Sequence, residues 1–348
     1  MRRACIVLTL YLGCAMALPS LAAATGCRAA APITLRVRFA GESARAVLLE
    51  STTPGGLRLV DPATKNELWS AGPGAGKTQR ISGMDASFGA SLAAVHLDAD
   101  GVHDRVYAGD QAGRLWRLEL RAGAPPSAWM RASVLADLGA PGRGFVAAPD
   151  ITRIETPAAG SWLNIAIGTA NTGAQQAEHR FYVLRDALVV AGPAAPLTEA
   201  DLEPLMPPLG VTGGGAPGYY LRLGSAQVLA QALTLDGHIH FTVAETGRSL
   251  LAGCAPGTLP TTAVPLSVTV LRARDGEVAL SHNTDRSDQR ILRRVLAGAM
   301  PANAGVELAT AQRQADGRVP CRVDVETLPE CSLDTQPRRT WWRREDAD

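Results

Sequence analysis

The sequence predicts an all-β protein of the β-propeller class, with five to seven blades, closed or incomplete. Three observations carry that expectation. Apolar runs of strand length recur at 33–39, 46–49, 57–60, 106–108, 115–120, 162–167, 181–185, 219–223, 227–235, 238–243, 267–272 and 277–280. The 35 glycines and 23 prolines supply tight turns between them, and only 19% of the residues are charged. Two local forms also repeat. One is a glycine, an apolar strand, an aspartate turn and an apolar end, as in Gly56-Leu57-Arg58-Leu59-Val60-Asp61 through Leu68-Trp69. The other is a strand closed by Gly-Thr or Gly-Asp, as in Ala166-Ile167-Gly168-Thr169. Weak repeats of roughly 40–50 residues, each holding four short strands, are the mark of a propeller. Helical periodicity is confined to one candidate, 291–299, and the Pro/Gly-rich stretch 191–217 reads as a long surface insertion.

From the start of the chain, residues 1–26 read as a secretory signal peptide. Arg2 and Arg3 precede an apolar run over 6–18, and Leu21-Ala22-Ala23-Ala24 offers small residues for cleavage. Gly13-Cys14 and Gly26-Cys27 superficially resemble lipoprotein cleavage sites. The first lies too deep in the apolar run, and the second lacks the usual leucine three residues earlier. No later stretch offers the roughly 20 unbroken apolar residues of a membrane span. The expectation is an exported protein without a membrane span. The expected division is a signal peptide at 1–26, a propeller at 27–333 and a closing strand with a tail at 334–348.

Export fits the cysteines. Cys5 and Cys14 leave with the signal, and Cys27, Cys254, Cys321 and Cys331 remain. Four cysteines in an oxidising compartment allow two disulfides in three connectivities. We expect Cys254 to pair with Cys321 or Cys331. No C-x-x-C pair is present, so neither a zinc knuckle nor a thioredoxin-like site is indicated. A net charge of +1 gives no reason to expect nucleic acid as a partner.

Several motifs tempt and then weaken. Gly72-Pro73-Gly74-Ala75-Gly76-Lys77-Thr78 is one residue short of a phosphate loop and opens no clear helix, so an ordinary turn is expected. His238 and His240 share a strand face but have no third ligand at a recognisable spacing. No nucleophile elbow is present. Arg338-Arg339-Thr340-Trp341-Trp342-Arg343-Arg344 reads as a closing strand.

The strongest chemical signal is His96-Leu97-Asp98-Ala99-Asp100-Gly101-Val102-His103-Asp104. Side-chain oxygens at alternate positions, with a glycine at the turn, are how a chain wraps a hard cation such as Ca²⁺. The expected ligands are Asp98, Asp100, the Val102 carbonyl and Asp104, with His96 at the first position. The loop runs at once into a predicted hairpin, Tyr107-Ala108-Gly109-Asp110 through Gly113 to Trp116-Arg117.

On these residues the chain resembles the type IV pilus biogenesis and tip-adhesin family, the PilC/PilY-type β-propeller. That family places a calcium loop directly before Y-A-G-D-x-x-G-x-x-W-R. Further stretches are similar in order: Ile167-Gly168-Thr169 with Arg180-Phe181-Tyr182 and Asp186, then Gly218-Tyr219-Tyr220, then Gly237 to Thr242 with Cys254, and finally Arg339 to Glu345. The resemblance implies a non-enzymatic pilus assembly and adhesion factor with a calcium site, located in the periplasm, on the outer-membrane surface or on a pilus. Its implied partners are minor pilins or other pilus components and a host-surface ligand. His96 stands where the family has an aspartate. Neutral imidazole is a poor ligand for a hard cation, so any Ca²⁺ site should be weak. Family members also carry a long N-terminal region, whereas only 27–95 lies between signal and loop here. A propeller-only or shortened member is therefore expected.

Two rival readings remain. Val60-Asp61-Pro62-Ala63-Thr64-Lys65-Asn66-Glu67-Leu68-Trp69 resembles the tryptophan-docking turn of quinoprotein propellers, so a quinoprotein-type dehydrogenase is one. An enzyme of that type would carry many copies of the turn, and this chain has one clear copy. The other rival is a periplasmic scaffold propeller with no pilus role.

Overall fold

The computed structural model describes residues 27–29, 32–283, 318–323 and 326–334, apart from 53–54, 99, 157–159, 174–176, 189–194, 206–215, 229, 236–237, 245–257, 261–265 and 273–277. Residues 1–26, expected as a signal peptide, the helix candidate 291–299, Cys254 and the Arg/Trp-rich end lie outside the described residues.

After a short strand β1 (Cys27–Ala29), the first sheet is formed by β2 (Ile33–Val37), β3 (Arg45–Ser51), β4 (Leu57–Val60), β5 (Glu67–Gly72) and β6 (Gln79–Arg80). These lie side by side in chain order. The second sheet is β7 (Phe88–Val95), β8 (Arg105–Asp110), β9 (Arg114–Leu120) and β10 (Met130–Asp137), an antiparallel meander throughout. The third holds β11 (Arg143–Phe145), β12 (Asp150–Thr156), β13 (Gly160–Asn171), β14 (His179–Ala187), β15 (Glu203–Pro204) and β16 (Gly218–Gly224). In the fourth, β17 (Leu233–Leu235), β18 (His238–Ala244), β20 (Leu266–Arg272) and β21 (Val278–Asn283) pair in that order, while β19 (Thr258–Pro260) returns to pair with β1. A last hairpin joins β22 (Arg318–Val323) and β23 (Glu326–Asp334).

Consecutive meanders, each packed on the next, make this an all-β fold of the propeller class. Four such sheets fall among the described residues. The only helical segments described are 3-10 turns at Pro126–Ala128 and Glu199–Asp201. Among the described residues, no helix is long and apolar enough to cross a membrane.

The packing explains which strands were easy to read. In β2, buried Leu35 and Val37 alternate with exposed Thr34 and Arg36, because one face meets the core and the other meets water. Strand β8 is buried on both faces. Val106 and Ala108 join the core shared with the first sheet, and Tyr107 joins the core shared with the third. A third core lies between the third and fourth sheets, where the Phe181 and Phe241 rings stack with centroids 3.7 Å apart.

Two expectations need correction. The predicted strand 227–235 is divided. Gln227 forms only a bridge to Ala244, and the strand proper is Leu233–Leu235. The Gln227 side chain is drawn toward the third sheet, where it accepts the Asn171 N–H at 2.9 Å, and the Val228 N–H donates to the Thr169 carbonyl. The stretch 191–217, which reads as a surface insertion, packs closely in its described part. Leu202 and Leu205 are buried, and β15 adds to the edge of β16. The Gly72 to Thr78 motif is a turn between β5 and β6, as expected.

Candidate functional site

The loop 96–104 connects β7 to β8 and leans on β2. The His103 N–H donates to the Arg36 carbonyl, and the Arg36 N–H donates to His103 Nδ1, both at 2.9 Å. The second bond fixes the proton of neutral His103 on Nε2. Burial, aided by the neighbouring His96, holds the His103 imidazole down to about 4. The two rings lie against each other with centroids 3.9 Å apart. At the other end of the loop, the Asp104 N–H donates to the Val95 carbonyl and the Asp104 carbonyl accepts from Leu120, which closes the loop on its own hairpin.

Each expected calcium ligand has a protein partner. Asp98 Oδ1 accepts the Asp100 N–H at 3.1 Å, and Asp100 Oδ1 accepts the Val102 N–H at 2.9 Å. Asp104 Oδ2 accepts the Leu97 N–H. Asp100 Oδ2 also takes a hydrogen bond from Arg38 at 2.8 Å. The Val102 carbonyl accepts the His96 Nδ1–H at 2.6 Å, so the imidazole holds an oxygen that the sequence assigns to a cation. Gly101 adopts a φ of +73°, a left-handed turn that favours glycine. Among the described residues, no group of three or more His, Cys, Asp or Glu side chains converges as a metal site. The three carboxylates nevertheless feel one another. Burial pushes the Asp104 carboxyl up against the opposing Leu97 N–H, and the fields of Asp98 and Asp100 add to the rise. In charge the loop suits a hard cation. In geometry the Val102 carbonyl is turned to His96.

The hairpin β8–β9 that follows is a docking unit. Asp110 is fully buried and organises the turn. Its Oδ1 accepts the N–H groups of Ala112 and Arg114, and its Oδ2 accepts Arg114 Nε at 2.7 Å and Trp116 Nε1 at 2.9 Å. Gly109 allows the third sheet to approach, because a Cβ there would lie 2.5 Å from the Cβ of Phe145. Tyr107 and Arg117 project to the third sheet. Both reach Asp186 of β14, Arg117 at 2.8 Å, and Arg105 joins them at 3.4 Å while donating to the Ala187 and Leu188 carbonyls. The Y-A-G-D-x-x-G-x-x-W-R residues thus build a turn and clamp two neighbouring sheets together.

Sequence reasoning missed a second polar cluster. Glu199, in the 3-10 turn of 195–205, accepts Arg143 Nη2 at 2.9 Å and the Tyr182 hydroxyl at 2.8 Å on one oxygen, and Arg180 Nε at 3.4 Å on the other. Tyr182 plays here the part that Tyr107 plays in the first cluster, since each tyrosine hydroxyl donates to a carboxylate. His238 and His240 sit on β18, and burial together with His238 holds His240 down to about 4. Trp69 Nε1 donates at 3.0 Å to the Pro126 carbonyl in the 3-10 turn between β9 and β10, so this tryptophan ties the first sheet to the second.

No family model matches the chain, and no curated protein matches it in sequence. Among solved structures, it is similar to the C-terminal domain of PilY1 from Pseudomonas aeruginosa, with a TM-score of 0.49 and 14% identity over 71% of this chain and 59% of that one. Similarity to a quinohemoprotein alcohol dehydrogenase from Comamonas testosteroni has a TM-score of 0.35 and 12% identity, over 74% of this chain and 37% of that one. For the quinohemoprotein alcohol dehydrogenase ADHIIG from Pseudomonas putida the values are 0.33 and 13%, over 74% and 36%. The chain therefore spans less than two thirds of the length of each.

Proposed function

We propose that the protein is an exported, non-enzymatic β-propeller of the type IV pilus assembly and adhesion kind, with a weak calcium-responsive loop at 96–104. The supporting observation is the unbroken order of acidic loop and docking hairpin. Asp98, Asp100 and Asp104 lead without a gap into Tyr107, Asp110, Trp116 and Arg117. The PilC/PilY-type resemblance of those residues supplies the pilus reading, with pilus components as partners. Asp98, Asp100 and Asp104 would hold the cation, and His96 would have to release the Val102 carbonyl before that oxygen could join them. Bound Ca²⁺ would neutralise the crowded carboxylates and stiffen the joint between the loop and the first sheet. It would stabilise the fold by RT ln(1 + [Ca²⁺]/Kd), about 2.7 kcal/mol at a hundredfold excess over Kd.

The test is thermal melting of the purified protein in millimolar Ca²⁺ and in chelator. The wild type should melt higher with Ca²⁺, Asp100→Ala should lose the response, and His96→Asp should enlarge it. Identical melting of the wild type and of His96→Asp in both conditions would remove the calcium reading. For the pilus reading, deleting the gene in its host should lower surface piliation, and unchanged piliation would remove it. The scaffold and dehydrogenase readings would then be the ones to pursue.

A further inference from the structure

The segment 195–205 lies along the edges of two neighbouring sheets. Leu197 bridges in parallel to Ala136 of β10, with its N–H donating to the Leu135 carbonyl and its carbonyl accepting the Asp137 N–H. Six residues later, β15 pairs in parallel with β16, and the Leu205 N–H donates to the Tyr220 carbonyl. Between these two edge contacts, Glu199 enters the cluster of Arg143, Arg180 and Tyr182. The guanidiniums are 9% and 8% exposed and the carboxylate 29%. Leu202 and Leu205 fill apolar positions beside it. The segment therefore presents two short edge-pairing stretches joined by a 3-10 turn, with one carboxylate and two apolar anchors, to a surface that reads all of them.

The receiving side is held by the sheets themselves. Arg143 also donates to the Leu138 and Glu178 carbonyls, and Arg180 to the His179 carbonyl and the exposed Glu178 carboxylate. The Arg180 guanidinium lies over the Tyr220 ring, 5.8 Å from its centroid. Two such guanidiniums, nearly out of water, need an anion between them, and a planar carboxylate matches their donors. Edge strands of sheets, in turn, accept added strands through main-chain hydrogen bonds.

We propose that Arg143, Arg180 and Tyr182, with the edges of β10 and β16, form a recognition site for an acidic peptide of a partner protein, paired to the two edges at its ends and turned between them so that its carboxylate meets the guanidiniums. The chain's own segment 197–205 fills that site in cis. Tethering at both ends gives the internal strand a high effective concentration, so a free strand competes only when the internal one is weakened.

The experiment uses the full chain carrying Glu199→Gln, which keeps the shape and removes the charge. The probe is a fluorescein-labelled synthetic peptide with the sequence of residues 196–205, followed by anisotropy. The variant should bind the peptide, and the wild type should bind it more weakly. A peptide with glutamine in place of the Glu199 carboxylate should bind about tenfold or more weakly, the loss expected for a charge-assisted hydrogen bond. Adding Arg143→Ala to the variant should abolish binding. If Glu199→Gln fails to fold, Glu199→Asp serves in its place, since it keeps the charge but withdraws it from the cluster. Equal binding of both peptides, or no binding by a folded variant, would overturn the proposal. So would dimerisation of the variant by strand exchange in place of peptide binding, because the occupant would then be a second copy.

Discussion

The first and second sheets meet differently from the second and third. Between the first two, Trp69 and Trp129 pack edge to face with centroids 5.4 Å apart, and Phe39 lies 5.2 Å from Trp129. A single indole hydrogen bond, from Trp69 to the Pro126 carbonyl, orients that cluster. Between the second and third sheets, a buried carboxylate, Asp186, takes Tyr107, Arg105 and Arg117 from the neighbouring sheet. The aromatic joint gains from area and tolerates repacking of similar volume. The ionic joint has to be complete. Its charges are stable only while every partner is present, so it selects the correct neighbour and the correct register. A chain of similar sheets needs both kinds, because apolar faces alone do not distinguish one sheet from the next.

The largest expected effect breaks the ionic joint. Asp186→Ala takes the shared carboxylate from two buried guanidiniums and should cost about 3–5 kcal/mol in denaturant unfolding. Replacing Arg117 by methionine in the same chain should recover part of that loss, because the two sites are coupled. If Asp186→Ala costs less than 1 kcal/mol by the same measurement, the joint is not the specific contact described above, and the contrast collapses.

The aromatic joint should respond more mildly. Trp69→Phe keeps an aromatic ring in the cluster but loses the hydrogen bond to Pro126 and part of the packing. The expected cost is about 1–2 kcal/mol, with no dependence on pH between 5 and 8. A pH-dependent loss, read from melting curves across that range, would show that charged groups also report on this joint.

Much of the fold was readable because burial is one-sided in places. Alternation at Leu35 and Val37, and the apolar runs around Val106 and Leu115, mark strands directly. Strands β7, β10 and β12 escaped notice. Phe88–Val95 and Met130–Asp137 are broken by glycine, serine and alanine, which pair in a sheet without advertising it. In Asp150–Thr156 only Ile151 and Ile154 are apolar. The acidic loop was legible as a motif because all its residues are local. The clamp on Asp186 was not, since Arg117 lies 69 residues away in sequence and no periodicity connects them. The segment 195–205 read as surface for a similar reason. It lies in the Pro/Gly-rich stretch 191–217, and the sites that receive Glu199, Leu202 and Leu205 come from distant strands.

The joint between the third and fourth sheets allows a finer test, because it holds a carboxylate that a hydroxyl engages. Thr234 Oγ1 on β17 donates to Asp150 on β12, and Gln231 Nε2 donates to the Pro149 carbonyl beside it. Burial pushes the Asp150 carboxyl up to about 6, against the hydrogen bonds from Thr234. A raised carboxyl binds its proton more tightly in the folded state. Its contribution is therefore fully present below the ordinary value of 3.8 and is lost as pH rises through about 6. At neutral pH the ionised group should weaken the joint by roughly 1–2 kcal/mol, allowing for its partial exposure. Asp150→Asn keeps an acceptor for Thr234 and cannot ionise. Measured against the wild type, it should be more stable at pH 7 and close to equal at pH 4, so that the difference between the two proteins opens across pH 4 to 6. Unfolding curves that stay parallel over that range would mean that Asp150 titrates as an ordinary surface carboxylate. The third joint would then differ from the ionic one only in having fewer polar contacts, and not in being sensitive to acid.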